Sequence, residues 1–181
     1  MVTKKRVVIF LVLVAAGFGA WKFYAKSLGD KSDGQLFEMI SSGSAAGAAE
    51  TELMLRASTG RITPATFREH MKDTSPKARV VACRGAKSLK DKAAAPQLIA
   101  MLEDPKEDSE VKEAAASAFA NIRVKEAIPS LLKMLDYTSE NVRVAASDAL
   151  RSITKQKYSN KEGEKWKLWW TENASTFKVV E

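Results

Sequence analysis

Cysteine, histidine and glycine are scarce in this chain, and each shortage closes off a class of chemistry. With Cys83 alone, no intramolecular disulfide or cysteine-rich metal site can form, and the redox compartment is not readable from thiols. His70 is the one histidine, which excludes zinc sites built on Cys/His clusters. Nine glycines and five prolines in 181 residues leave few chain breaks. No alternation of apolar and polar residues is long enough for a strand. GSAAG (43–47) lacks the glycine spacing and the Lys-Ser/Thr of a phosphate loop. No nucleophile–base–acid set emerges. Acids are absent from the first 26 positions, which hold Lys4, Lys5, Arg6, Lys22 and Lys26. Most of the +7 net charge therefore sits there. The rest of the chain is close to neutral, which argues against nucleic acid as a partner.

What those first residues do contain is apolar. Val7 to Trp21 run uncharged, and with the Lys22 ammonium snorkelling outward the stretch reaches Ala25. A spanning helix needs roughly 17–25 such residues. Trp21, Phe23 and Tyr24 fall where an interfacial aromatic belt lies. Residues 1–26 are expected to form an uncleaved signal anchor. A short cationic N-terminus of this kind stays cytoplasmic, which makes the chain a single-pass protein of a bacterial inner membrane with a periplasmic C-terminal domain. The alternative is a cleaved signal peptide, cut at Ala15-x-Gly17, with the body free in the periplasm. No polar region separates the apolar run from the aromatics, which favours the anchor.

Residues 27–34 (SLGDKSDG) are polar and are expected to act as a hinge. Residues 35–73 read as a degenerate helical repeat with helices over 41–57 and 63–71, the second capped by Thr63 and opened by Pro64. Residues 74–176 repeat visibly. ARVVACRGAKSL (78–89), VKEAAASAFANI (111–122) and VRVAASDALRSI (142–153) each place apolar or small residues at positions 0, 3, 4, 7, 8 and 11. That spacing lines one helix face. Ser75, Asp108 and Ser139 stand three residues before each start as capping types. Second helices follow: AAAPQLIAMLED (93–104) and EAIPSLLKMLDY (126–137) align proline on proline and Met-Leu on Met-Leu. A period of 31 to 33 residues built from helix pairs signals an α-solenoid. Trp166, Trp169 and Trp170 share the spacing of Leu98/Met101/Leu102 and Leu131/Met134/Leu135. They are expected to cap the core in a last second helix, leaving 177–181 as a tail.

VKEAAASAFANIRVKEAIPSLLKML (111–135) resembles a HEAT-like repeat of the short bacterial type also found in phycobilisome lyases. ARVVACRGAKSLKDKAAAPQLIAML (78–102) matches it, and VRVAASDALRSI supplies a third first helix. The resemblance implies an all-α fold, an α-solenoid of HEAT-like helix pairs behind an N-terminal transmembrane helix. It also implies a partner-binding concave face made of second helices. Iron-dependent hydroxylases of this fold use His-Glu dipeptides, but His70 precedes Met71, so that activity is not expected. Nothing marks the chromophore pocket of a lyase. The basic concave face of a HEAT-like DNA glycosylase is missing too.

The function expected is therefore non-catalytic: a membrane-anchored scaffold or accessory subunit of a bacterial envelope complex. It would engage protein partners without cofactor, metal or nucleic acid. The alternative is a cofactor-binding, lyase-like or enzyme-accessory protein using the concave face. Gln97, Ala100, Ser130, Lys133 and Lys165 are the outward positions expected on that face. Cys83 occupies position 5 of its helix, as Ala116 and Ser147 do, and is expected as a small surface-flank residue. His70 reads as a helix C-terminal cation. The basic stretch 151–167 is expected as a solvated loop or a contact for lipid headgroups or an acidic partner.

Overall fold

A computed structural model describes residues 27–179 of the protein, and every regular element among them is helical. The helices are α1 (Asp33–Ser42), α2 (Ala46–Ser58), α3 (Pro64–His70), α4 (Pro76–Leu89), α5 (Ala95–Glu103), α6 (Ser109–Ile122), α7 (Ile128–Met134), α8 (Glu140–Thr154) and α9 (Gly163–Asn173). The longer helices α2, α4, α6 and α8 pack side by side as one layer. The shorter helices α3, α5 and α7 form a second layer, each packed on the long helix that follows it. The repeat positions explain this arrangement. Every one of the 0, 3, 4, 7, 8 and 11 positions is buried except the half-buried Leu89.

The helix ends follow the expected residues with some exchange of roles. Ser75, Asp108 and Ser139 are the N-caps of α4, α6 and α8. Only Asp108 caps with its side chain, accepting from the Glu110 N–H at 2.8 Å. The Ser75 N–H instead donates to the Asp73 carboxylate at 2.8 Å. Each long helix ends in a left-handed corner at Gly60, Lys90, Arg123 or Lys155, with φ of +71°, +52°, +45° and +64°. Short 3-10 turns at Lys92–Ala94 and Lys125–Ala127 then lead into α5 and α7.

A second repeating feature was not visible in the apolar pattern. The residue after position 0 is always basic: Arg79, Lys112 and Arg143. Each caps the end of the preceding short helix and the turn after it. Arg79 donates to the Asp73 and Thr74 carbonyls at 2.7 and 3.1 Å. Arg143 donates to those of Tyr137 and Thr138 at 2.8 and 2.7 Å. Lys112, only 2% exposed, donates to the carbonyls of Met101, Leu102 and Asp104. A cation on unpaired C-terminal carbonyls satisfies both their hydrogen-bonding capacity and the helix dipole.

Four expectations need correction. Cys83 is not on the surface: it is fully buried, as are its counterparts Ala116 and Ser147. The Cys83 thiol meets Met101 of the short helix α5, so the covered arc of a long helix is wider than the six-position stripe. The hinge read at 27–34 is docked instead. Leu28 is buried, and Arg56 donates to the carbonyls of Leu28, Gly29 and Lys31 at 3.3, 3.2 and 2.9 Å. The same guanidinium pairs with Asp33 at 2.6 Å and Glu52 at 2.9 Å. The tail is not free either, because Phe177 meets the Trp169 and Trp170 rings edge-on at 5.6 and 5.9 Å.

The fourth correction concerns α9. Gly163 lies beside Leu135 and Asp136 at the end of α7, and Lys167 pairs with Asp136 at 2.9 Å. Two turns from Gly163, Trp170 lies under Lys125 at the start of α7, 5.9 Å from its ammonium. The last helix therefore runs antiparallel to α7, where a further second helix would run parallel. Residues 155–162 carry the chain across to the opposite edge before it begins. Trp166 still reaches the core and is fully buried, with its indole N–H donating to the Ser159 carbonyl at 3.1 Å. Trp169 and Trp170 are only half-buried, so core capping falls to one indole of the three.

Among the described residues no helix is long and apolar enough to cross a membrane. The anchor expected at residues 7–25 lies outside the described residues.

Candidate interaction surface

The short helices α3, α5 and α7 present the face on which the sequence placed its candidate residues, and the structure divides those residues into three groups. Gln97 and Ala100 share a shallow hollow of about 220 Å³ with Met71, Lys72, Met101, Asp104 and Glu107. Ala100 is exposed and Gln97 half-buried. The Gln97 side chain donates to the Arg68 carbonyl of the neighbouring α3 at 3.2 Å. Its lining is part apolar, from the two methionines and Ala100, and part charged, from Lys72, Asp104 and Glu107.

Ser130 and Lys133 form the second group, joined through Glu103 of α5. The Ser130 hydroxyl and the Lys133 ammonium both donate to Glu103 Oε1 at 2.9 Å. Those donors, Lys133 first, hold the Glu103 carboxyl below its ordinary pKa. Ser130 is not the outward residue expected, being 3% exposed. It stands at the repeat position of Gln97, one after the helix proline. Both residues turn sideways to bond the preceding short helix. Lys133 does face solvent.

Lys165 lies apart from both groups because α9 is reversed. Its ammonium donates to Glu162 Oε1 at 2.7 Å, beside a hollow lined by Asp136, Asn160 and Lys161. Glu162 Oε2 accepts from the Ser159 N–H and hydroxyl at 2.9 and 3.0 Å. The Lys165 bond, then the two from Ser159, bring the Glu162 carboxyl down to about 2. This cluster ties the start of α9 to the loop before it.

The remaining polar candidates are built into the fold. Burial pushes the Cys83 thiol up to about 12, which removes the thiolate that reactivity needs. The Cys83 thiol instead contacts Met101 Sδ at 3.6 Å. His70 ends α3, as expected, and stacks on Phe37 with ring centroids 3.6 Å apart and an interplanar angle of 9°. Asn173, which with Ala174 and Ser175 spells an Asn-x-Ser glycosylation sequence, is the last residue of α9 and donates to the Trp169 carbonyl at 2.7 Å. Among the described residues no three His, Cys, Asp or Glu gather as a metal site.

Comparison with known families places this geometry. Residues 64–151 match the family model for HEAT repeats, and the repeat-bearing part of the chain is HEAT-like. The match begins at the first residue of α3 and ends within α8, so it stops short of the reversed helix. No curated protein matches the chain.

Proposed function

We propose that this protein is a non-catalytic scaffold, held at a bacterial inner membrane by residues 7–25 and docking a protein partner on its short-helix face. The observation that carries this reading is the cross-helix bonding of that face. Gln97 is tied to α3, and Ser130 and Lys133 are tied to α5. Such bonding makes a pre-ordered surface, which loses little conformational freedom when a partner binds. Solenoids of this class commonly use such faces for protein–protein interaction. The hollow at Gln97 and Ala100 encloses about 220 Å³. At that size it suits an inserted partner side chain, whereas the hollow beside Lys165, at about 420 Å³, lies within the roughly 300–1,000 Å³ of small-molecule sites but is lined mostly by charged residues.

The apolar length of residues 7–25 supports the anchor. A scaffold confined to the membrane plane meets membrane-bound partners in two dimensions. The test is mild detergent extraction of the full chain from its native membrane, after an alkaline wash that strips peripheral proteins. The chain is expected to stay in the washed membrane and to co-purify with a stoichiometric protein. Ala100→Arg combined with Lys133→Glu is expected to lose that protein, whereas Asn141→Arg on the long-helix layer keeps it. A chain extracted alone, or one whose partner survives the double substitution, contradicts the reading.

A further inference from the structure

Where the long helices α4, α6 and α8 turn into the next element, the corner carries two basic residues spaced two apart. These are Lys90 and Lys92, Arg123 and Lys125, and Lys155 and Lys157. Arg61 follows the corresponding corner at Gly60. The four corners lie along one edge of the solenoid, because α2, α4, α6 and α8 run parallel. Lys90, Lys92, Lys155 and Lys157 are exposed, and Arg123 and Lys125 are half-buried. Acids share this edge as well: Asp91, paired with Arg68, Asp33, paired with Arg56, and the exposed Asp30, Glu126 and Glu172. The opposite edge is of mixed charge: Asp73, Asp104, Glu107 and Asp136 are balanced there by Lys77, Arg79, Arg143 and Lys167. A helix of 14 residues such as α4 separates the edges by about 21 Å.

The fold accounts for part of this basicity, because Lys90, Arg123 and Lys155 stand at helix C-termini, where the dipole favours cations. Lys90, Arg123 and Lys155 occupy left-handed corners, where glycine avoids the Cβ clash that a lysine or arginine suffers. Lys92 and Lys125 sit in the turns that open α5 and α7, the positive ends of those helices, where an acid is favoured. What the dipole does not supply is the recurrence of a second basic residue at the same corner, which concentrates positive charge along one edge and suits an anionic surface outside the protein.

The chain also enters the body at this edge. Residues 28–31 are held by Arg56, less than a turn from the end of α2. Glu50 near the start of α2 pairs with Arg84 of α4 at 2.8 Å, and a Cβ placed on Gly43, just before α2, would stand 3.9 Å from the Lys77 ammonium at the start of α4. The end of α2 therefore belongs to the basic edge. We propose that this edge lies against an anionic lipid surface, orienting the solenoid so that the mixed-charge edge points away and the short-helix face stands exposed to the side. The proposal rests on residues 7–25 being a membrane anchor. Screening supports the geometry: at physiological salt the attraction decays over about 8 Å, so it acts on the near edge and hardly on the far one.

The test uses the full chain in vesicles. Cys83 is buried, so cysteines introduced as Glu126→Cys on the basic edge and Thr138→Cys on the other can be labelled selectively with a donor dye. Energy transfer to a headgroup-labelled acceptor is then read in phosphatidylcholine vesicles with and without phosphatidylglycerol. In anionic vesicles at low salt, transfer from position 126 is expected to exceed that from 138 severalfold. The ratio is expected to fall in neutral vesicles, in high salt and in a Lys90→Gly, Arg123→Gly, Lys155→Gly variant. Glycine suits those corners, so that variant is expected to fold at least as well.

A chain that floats with neutral vesicles but shows a ratio indifferent to lipid charge, salt and the glycine substitutions overturns the edge contact and leaves the anchor standing. A chain that does not float with neutral vesicles at all overturns the anchor and the proposal with it. Salt-sensitive retention of single-stranded DNA, lost in the glycine variant and without any lipid dependence, overturns the proposal in favour of nucleic acid.

Discussion

The Lys112 ammonium donates to the Leu102 carbonyl oxygen at 2.6 Å, so a buried cation on α6 closes the end of α5. It also reaches the Met101 and Asp104 carbonyls at 3.2 and 2.6 Å and lies 5.7 Å from the Tyr137 ring. Burial lowers its pKa, against the opposing pull of Asp104 and Glu107. Removing the side chain strands carbonyls inside the protein. Lys112→Ala is expected to cost roughly 2–4 kcal/mol, which a thermal melt would register as a fall of about 5–12 °C. Lys112→Arg, which copies Arg79 and Arg143, is expected to recover most of that loss. An alanine variant melting with the native chain contradicts the role.

Gly85 occupies position 7, where the other repeats have Ala118 and Ala149. A Cβ there would stand well under 3.0 Å from three atoms of the Phe67 ring. Phe67 is fully buried and packs edge-on against Phe37 at 6.1 Å, so it has little room to yield. Gly85→Ala is expected to destabilise by about 1–3 kcal/mol through overpacking, despite alanine's better helix propensity. Combining it with Phe67→Leu should restore stability above the sum of the two single effects, as a double-mutant cycle by urea denaturation would reveal.

The left-handed corners make the opposite prediction. Lys90→Gly, Arg123→Gly and Lys155→Gly are each expected to stabilise the fold by about 0.5–1 kcal/mol. Gly60→Ala, at φ +71°, should destabilise by a similar amount. Ordinary surface substitutions do not raise stability systematically at repeat-equivalent positions, so three matched increases in melting temperature would identify backbone strain as the cause.

The Glu162 clamp gives a pH prediction. Its carboxyl is depressed to about 2 by Lys165 and Ser159, from an unfolded value near 4.3. A depressed acid contributes stability that is fully present above the unfolded value and is lost as pH falls through the folded one. The start of α9 should therefore loosen between about pH 4 and pH 2. Carboxyl NMR should place the Glu162 midpoint near 2 in the native chain and clearly higher in Lys165→Ala, since that bond is the largest cause. A native midpoint in the ordinary glutamate range would refute the clamp.

Much of this architecture was legible in the sequence because it rests on short-range periodicity. Three apolar faces, their capping residues and the prolines of the short helices follow from 3.6-residue spacing and first-turn chemistry. What escaped depends on neighbours that a single helix does not announce. Cys83 meets Met101 of the short helix α5, and Ser130 meets Glu103 of the adjacent short helix. The docking of Leu28 depends on Arg56, 28 residues on. A signal for the reversed last helix was present. Leu98 and Leu131 each follow their left-handed corner by 8 residues, but Trp166 follows Lys155 by 11 with no proline between. The Arg79, Lys112 and Arg143 series was equally present at a fixed position. Apolar pattern matching passes over a cation whose stem is buried and whose head meets carbonyls.

The central claim is that the short-helix face is where a protein partner docks. Photo-crosslinking in the native membrane addresses it most directly, with a benzophenone side chain placed in turn at Ala100, Lys133, Asn141 and Val144. The account predicts one discrete protein adduct from positions 100 and 133 and none from 141 and 144 on the long-helix layer. Adducts confined to 141 and 144, or none from 100 and 133 while the chain remains in the membrane, would contradict it.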